Sequence, residues 1–86
     1  MASYELRIKG SAAKELRGLP AKDRARIATK IGALGNEPRP AGCEKLSGEE
    51  KYRLRQGDYR ILYSIEDGEK IVTIVRIGHR RDVYRS

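Results

Sequence analysis

Apolar and charged residues alternate at the start of the chain. In the segment SYELRIKG every second side chain is apolar, which is the period of a half-buried β-strand, and Gly10 ends the pattern. Ser11 is a suitable N-cap for a short helix over AAKELRGL, which Gly18 and Pro20 interrupt. Pro20 suits the first turn of a second helix, AKDRARIATKIGAL. The helical spacing predicts that one face of this helix is buried through Ile27, Ile31 and Leu34.

The second half of the chain has the pattern of a β-meander. Three strand-like runs, KYRLRQ, DYRILYSI and KIVTIVRI, are separated by the turn-forming segments QGD and EDGE. The preceding segment, Glu37 to Glu50, is rich in Pro and Gly and has no sustained period, so we interpret it as a long connection anchored by Leu46.

Together these patterns predict one α+β domain over residues 1–86. It contains an N-terminal strand, a two-helix hairpin, a three-strand antiparallel meander and a short C-terminal turn or helix. The helices cover one face of a four-stranded sheet, and the other face stays open.

The first hairpin determines which side chains reach the open face. A tight turn at Gly57 and Asp58 would place Arg55 directly opposite Arg60. The pleat then directs Arg53 to the same face as these two arginines. Like charges in such a pair are destabilising by roughly 0.2 to 1 kcal/mol, so a phosphate bound between them would explain their presence. A solvated outer face would also produce this pattern.

The last strand should lie beside the same hairpin, because consecutive antiparallel strands are usually neighbours. If its loop has three residues, Arg76 falls on the arginine face, whereas a loop of two or four residues turns it toward the helices. We prefer the three-residue loop, because the alternative would bury an unpaired charge.

Composition favours a polyanionic partner. The 86 residues carry a formal net charge of +7, and seven of the nine basic residues from Lys51 onward are arginine, whose planar fork suits phosphate oxygens. Cys43 is the only cysteine, so no internal disulfide can form. The sequence has no apolar run of signal-peptide or membrane-span character, and we therefore expect a cytoplasmic protein that does not bind membranes. It also has no cysteine and histidine spacing that would predict a metal or another cofactor.

Two segments carry a resemblance to a known family. YRLRQGDYRILYSI and RIGHRRDVYR, together with the order of elements, resemble the RelE/ParE toxin superfamily, in particular the RelE-like mRNA interferases of type II toxin–antitoxin systems. The resemblance spans nearly the whole chain. It assigns the family's basic residues to Arg53, Arg55 and Arg60, the residue after the last strand's glycine to Arg80, with Arg81 as a competing choice, and the C-terminal tyrosine to Tyr84.

The resemblance implies a metal-independent, ribosome-dependent endoribonuclease that cleaves mRNA by 2′-hydroxyl attack. Guanidinium groups would stabilise the charge that develops on the phosphoryl oxygens. Histidine is the side-chain type whose ordinary pKa lies near neutrality, so His79 and Tyr84 are candidates for base and acid in either order. The predicted catalytic residues are Arg53, Arg60, His79, Arg80 and Tyr84. The predicted phosphate-binding residues are Lys51, Arg55, Arg76 and Arg81.

Less specific explanations exist for several of these residues. His79 can be a structural residue at a strand end, and Tyr84 can be an apolar cap on the sheet. Tyr52, Tyr59 and Tyr63 are interpreted as sheet or core packing residues, and Cys43 as inert. Glu49 and Glu50 are outside candidates for an acidic catalytic group.

The resemblance also implies partners. These are a cognate antitoxin, the ribosome and mRNA, with oligomers forming only through the antitoxin complex. Two other functions fit the same residues, namely a ParE-like toxin that inhibits DNA gyrase and a noncatalytic RNA-binding module.

Overall fold

The computed structural model describes residues 3–46 and 51–81. Its sheet has the strand order β1-β5-β4-β3-β2, in which β1 is parallel to β5 and the other pairs are antiparallel. This α+β arrangement confirms the predicted fold class. The elements follow one another along the chain in this order: β1 (Glu5–Ile8), α1 (Gly10–Arg17), α2 (Ala21–Ala33), β2 (Glu44–Lys45), β3 (Lys51–Gln56), β4 (Tyr59–Glu66) and β5 (Ile71–His79).

Two predictions for the part of the chain before β3 differ from the structure. The segment interpreted as a long connection contains β2, so the sheet has five strands instead of four. Strand β2 consists of two charged residues, so it shows no alternation of apolar and polar positions. It is recognised as a strand only by its pairing with β3. Helix α1 begins at Gly10, with Lys9 at the N-cap, so that Ser11 lies in the first turn and does not cap the helix. The predicted C-terminal turn or helix falls mainly on residues 82–86, outside the described residues.

The core lies between the two helices and one face of the sheet. The predicted apolar face of α2 is buried there, and Ala12 of α1 joins it. The Tyr63 hydroxyl donates a hydrogen bond of 2.7 Å to the Pro38 carbonyl, and burial raises the pKa of this phenol well above its ordinary value. The buried sheet residues alternate along the strands, as the pleat requires: Tyr52, Leu54, Ile61, Tyr63, Ile65, Val72, Ile74 and Ile77.

The predicted register of the β3–β4 hairpin is confirmed. Arg55 pairs with Arg60 and Leu54 pairs with Ile61. The turn between the strands uses Gly57 at φ +59°, a left-handed conformation that costs glycine little. The open face of the sheet therefore carries the odd-numbered residues of β3 and the even-numbered residues of β4.

A β-bulge in β5 decides the position of Arg76. The β4–β5 loop has four residues, because Glu66 pairs with Ile71, and the prediction of a three-residue loop was wrong. A regular four-residue hairpin would turn Arg76 toward the helices. The pairing instead shifts by one residue between Leu62 and Tyr63, so that Val75 is the extra residue and Arg76 pairs with Leu62 on the open face.

A cluster of side chains links the α2–β2 connection to the β4–β5 turn. Arg39 donates hydrogen bonds of 3.2 and 2.8 Å to the two carboxylate oxygens of Asp67, and a third of 3.2 Å to the Tyr52 hydroxyl. The Tyr4 hydroxyl donates to Asp67 at 2.7 Å. Hydrogen bonds from Arg39, and then from Tyr4, lower the pKa of the Asp67 carboxyl.

The lowered pKa of Asp67 predicts a pH dependence of stability. Because the folded pKa lies below the unfolded value, the carboxylate stabilises the fold above about pH 4 and loses this effect as the pH falls through the folded pKa. We expect Asp67→Asn to lower the free energy of unfolding at pH 7 and to differ less from the wild type at pH 2 to 3. Urea unfolding at both pH values measures this. Glu69→Gln, in the same turn but outside the cluster, is the control, and an equal difference between the Asp67 variant and the wild type at both pH values would contradict the prediction.

Candidate nucleic-acid interface

The open face of the sheet carries a band of cations. Cross-strand pairing places them in adjacent rows, because residues directly opposite one another point to the same side. The charges come from all four of the longer strands, so no single segment of sequence contains the band. Its basic members are Arg7, Lys51, Arg53, Arg55, Arg60 and Arg76.

The row nearest the β3–β4 turn is formed by Arg55, Arg60 and Gly78. The Arg60 guanidinium donates to the Gly57 carbonyl at 3.1 Å and to the Tyr59 carbonyl at 2.9 Å. Within residues 3–46 and 51–81, Arg60 forms no ion pair with a carboxylate. Gly78 contributes no side chain to this row.

Arg80 reaches the same turn from the end of β5. Its backbone N–H donates to the Asp58 carbonyl at 2.7 Å, which fixes the chain immediately after the strand. Its Nε lies 3.9 Å from the Asp58 carboxylate, and the side chain is about half exposed. Arg55, Arg60 and Arg80 are thus brought to one end of the sheet, and we call this group the arginine row.

Glu44 of β2 pairs with two of the predicted arginines. Its carboxylate forms a short ion pair with Arg53 and lies 3.9 Å from Arg55. Arg53 is the more buried of the two side chains, at 21% exposed against 60% for Arg55. Sequence reasoning missed Glu44, because its position depends on the β2–β3 pairing that no pattern indicated.

Arg76 and Lys51 lie on the same open face, Arg76 opposite Leu62 and Lys51 opposite Ser64. The Arg76 Nε is 3.7 Å from the Glu15 carboxylate of α1. The other Glu15 oxygen accepts a hydrogen bond of 2.9 Å from the Ile77 backbone N–H. Helix α1 therefore holds the part of β5 that extends beyond the end of β1.

His79 lies on the helix-covered face, away from the arginine row. It pairs with Tyr59, whose ring it meets edge-on at a centroid distance of 5.9 Å. Tyr59 packs against the core, and its pKa is raised by burial and then by the nearby Asp23 carboxylate. The Nδ1 atom of His79 accepts the Arg81 backbone N–H at 3.2 Å. The structure therefore places the His79 ring on the opposite face of the sheet from Arg55 and Arg60.

Other predicted residues are placed as follows. Tyr84, Glu49 and Glu50 lie outside the described residues. Cys43 is partly buried against the core. Over residues 3–46 and 51–81 there is no cluster of His, Cys, Asp and Glu that could hold a metal ion. No helix in this part of the chain is both long enough and apolar enough to span a membrane.

Comparison with known families gives a match over almost the whole chain. Residues 6–84 match the family model described as the ParE toxin of the type II toxin–antitoxin system parDE. The chain belongs to the RelE/ParE toxin superfamily. It is a toxin of a type II toxin–antitoxin system.

The chain is similar in sequence and structure to individual RelE-family toxins. It is 35% identical to the toxin RelG of Mycobacterium tuberculosis, with 95% of this chain and 97% of RelG covered. It is 36% identical to the toxin RelE of the same organism, with 95% and 87% covered. The archaeal RelE–RelB complex of Pyrococcus horikoshii contains a chain that is 30% identical and superposes with a TM-score of 0.82, covering 98% of this chain and 99% of that one.

The ion pairs of Glu44 predict that its carboxylate weakens the binding of polyanions to this toxin. Removing the Glu44 charge frees Arg53 and Arg55 from a competing carboxylate, so we expect Glu44→Gln to bind an immobilised polyanion more tightly. Retention on a heparin column, measured as the salt concentration at elution, tests this. Glu69→Gln changes the net charge equally at a distant turn and is the control; equal elution of the two variants would mean that Glu44 has no specific effect.

Proposed function

We propose that this toxin is a ribosome-dependent endoribonuclease that cleaves mRNA and thereby inhibits translation. The observation that supports the proposal is the arginine row, in which Arg55 and Arg60 are cross-strand neighbours and Arg80 follows Gly78 beside the same turn. Several guanidinium groups at one point suit a single phosphodiester linkage. The similarity to RelE toxins supports the same activity.

The proposed reaction requires no metal ion. The ribose 2′-oxygen forms a bond to phosphorus in line with the bond to the 5′-oxygen of the next nucleotide, which breaks. The 2′-hydroxyl proton passes to a base, an acid protonates the leaving 5′-oxygen, and a 2′,3′-cyclic phosphate remains. Negative charge grows on the phosphoryl oxygens, and guanidinium donors that are already in place stabilise it.

Arg60 and Arg80 are assigned to this stabilisation. Arg60 is held by two backbone carbonyls, which leave its other donors available to a phosphate. Arg53 and Arg55 are assigned to the same or a neighbouring phosphate, with Glu44 as the carboxylate that the phosphate displaces. Arg81, Lys51 and Arg76 are proposed as further phosphate contacts.

Proton transfer is proposed for Tyr84 and His79, as predicted from the sequence. The His79 ring faces Tyr59 and not the arginine row, which favours Tyr84 over His79 as a proton-transfer group. A pH profile of cleavage by His79→Gln tests the remaining role of the ring: an unchanged profile would remove His79 from the reaction.

The proposed partners are a cognate antitoxin, the ribosome and mRNA. The archaeal structure is named as a complex of RelE with RelB, and the likeness to it supports an antitoxin for this chain. Basic surface favours association with ribosomal RNA, and the same surface favours an acidic segment of an antitoxin.

Arg60→Ala and Arg80→Ala should each reduce cleavage by at least about 100-fold, because each removes a donor that is aimed at developing charge. The measurement is truncation of message on translating ribosomes, with the end group of the product identified as a 2′,3′-cyclic phosphate. Arg17→Ala, which removes an arginine from the exposed end of α1, is the matched control. Unchanged cutting by both variants would remove Arg60 and Arg80 from the mechanism.

A supercoiling assay on the wild type tests the alternative of a gyrase inhibitor. Intact message together with inhibited gyrase would favour the ParE-like activity. Intact message, uninhibited gyrase and retained RNA binding would favour a noncatalytic RNA-binding module.

A further inference from the structure

A cavity of about 470 Å³ opens at the band of cations, where β1 ends and α1 begins. Its floor is apolar and is formed by Leu62 and Val75. Lys9, Lys51 and Arg76 surround this floor. Cavities of this size and composition, with an apolar base and a few polar groups, are typical of small-ligand sites.

The β-bulge forms the floor of the cavity. If the β4–β5 pairing continued regularly without the bulge, Arg76 would lie opposite Ile61 and its side chain would point to the helices. The bulge instead places Val75 and Arg76 together on the cavity side, opposite Leu62. An apolar surface and a guanidinium group are therefore adjacent.

The three cations come from three different elements, so the fold brings them together. Lys9 is the N-cap residue of α1 and makes no capping hydrogen bond with its side chain. The N-terminal end of α1, which carries a partial positive charge, borders the cavity through Lys9 and Ser11, and the Ser11 hydroxyl adds a hydrogen-bonding group. The cavity thus combines positive groups for an anion with a flat apolar surface.

Glu15 also lines the cavity, but its carboxylate is engaged with β5. One oxygen accepts the Ile77 N–H at 2.9 Å, and the other lies 3.7 Å from the Arg76 Nε. The carboxylate therefore holds Arg76 in position at the edge of the cavity. Its negative charge offsets part of the positive charge of Arg76.

We propose that the cavity is a second nucleotide subsite, which holds the RNA nucleotide adjacent to the linkage bound at the arginine row. This inference rests on the proposed function. The row that contains Arg76 is two residues along the strands from the row that contains Arg60, a distance of about 6.6 Å that one nucleotide step can span. The base lies against Leu62 and Val75, and the phosphate lies among Lys9, Lys51 and Arg76.

The combination of groups favours a nucleotide over a simple anion. Free phosphate uses the cations and gains nothing from the apolar floor, whereas a nucleotide joins an apolar base face to an anionic phosphate. We therefore expect a nucleotide to bind more tightly than inorganic phosphate.

The test uses an RNA trinucleotide with 2′-fluoro groups in place of every 2′-hydroxyl, so that no nucleophile is present. It is titrated into the nitrogen-15-labelled full chain, and backbone amide shifts identify the contacted residues. We expect shifts at Ser11 and Val75 as well as at the turn around Asp58. Inorganic phosphate, titrated in parallel, should bind more weakly at Ser11.

Lys9→Ala should weaken trinucleotide binding about five-fold, the effect of one partly exposed ion pair. It should also reduce the slope of log affinity against log salt by about 0.7, because one fewer counterion is released. Lys14→Ala removes the same charge from α1 outside the cavity and should match the wild type in both measurements. A smaller salt slope for the Lys9 variant alone shows that a phosphate contact is lost, whereas a general effect on folding would not change this slope specifically.

Three results would overturn the subsite: no trinucleotide binding, amide shifts confined to the β3–β4 turn, or equal affinities and slopes for the Lys9 and Lys14 variants. Message cleavage by the wild type separates the two proposals. Cutting without trinucleotide contact at the cavity refutes the subsite alone. Intact message on ribosomes refutes the proposed nuclease activity, and the amide shifts still report on the cavity.

Discussion

The register between β3 and β4 is the constraint on which the candidate interface depends. Leu54 and Ile61 face each other in the core, at 3% and 0% exposed, while Arg55 and Arg60 face each other on the opposite side. A slip of one residue would exchange the two faces. Burial of each large apolar side chain contributes about 1.5 to 3 kcal/mol, which exceeds the roughly 0.2 to 1 kcal/mol cost of like charges across a ladder. The core therefore holds the arginines together.

The β4–β5 pairing positions Arg76 through a β-bulge. A regular β4–β5 hairpin with this loop would direct Arg76 into the helix layer, and the bulge at Val75 returns it to the open face. Beyond the end of β1, the Ile77 N–H has no strand partner on that side, and Glu15 of α1 supplies the acceptor. The Glu15 side chain thus takes the place of a strand partner for β5 at this edge of the cationic face.

The carboxylates on this face balance charge without covering it. Glu44 pairs with Arg53 and Arg55, Glu15 with Arg76, and Asp58 with Arg80. These pairs are at least partly exposed, so each stabilises the fold only slightly and can be exchanged for a phosphate. Arg60 differs, because the groups that orient it in the described part of the chain are backbone carbonyls. It can accept an anion without losing a carboxylate partner, and this suits the central position that the proposed reaction assigns to it.

Sequence alone was sufficient for most features that depend on local pattern. Alternation and helical spacing predicted the four longer strands, the buried face of α2 and the fold class. The Gly57-Asp58 turn predicted the hairpin register and hence the shared face of Arg53, Arg55 and Arg60. The hairpin segment YRLRQGDYRILYSI and the C-terminal segment RIGHRRDVYR, together with the order of elements, also indicated the superfamily. Tertiary structure decided what depends on contacts between distant segments: the pairing of β2 that brings Glu44 to the arginines, the bulge that reorients Arg76, the ion pair with Glu15, and the orientation of His79 toward Tyr59. A pleat repeats every two residues and can be read along one strand, whereas a bulge, an edge pairing or a face assignment at a strand end depends on the free energy of packing against segments far away in the chain.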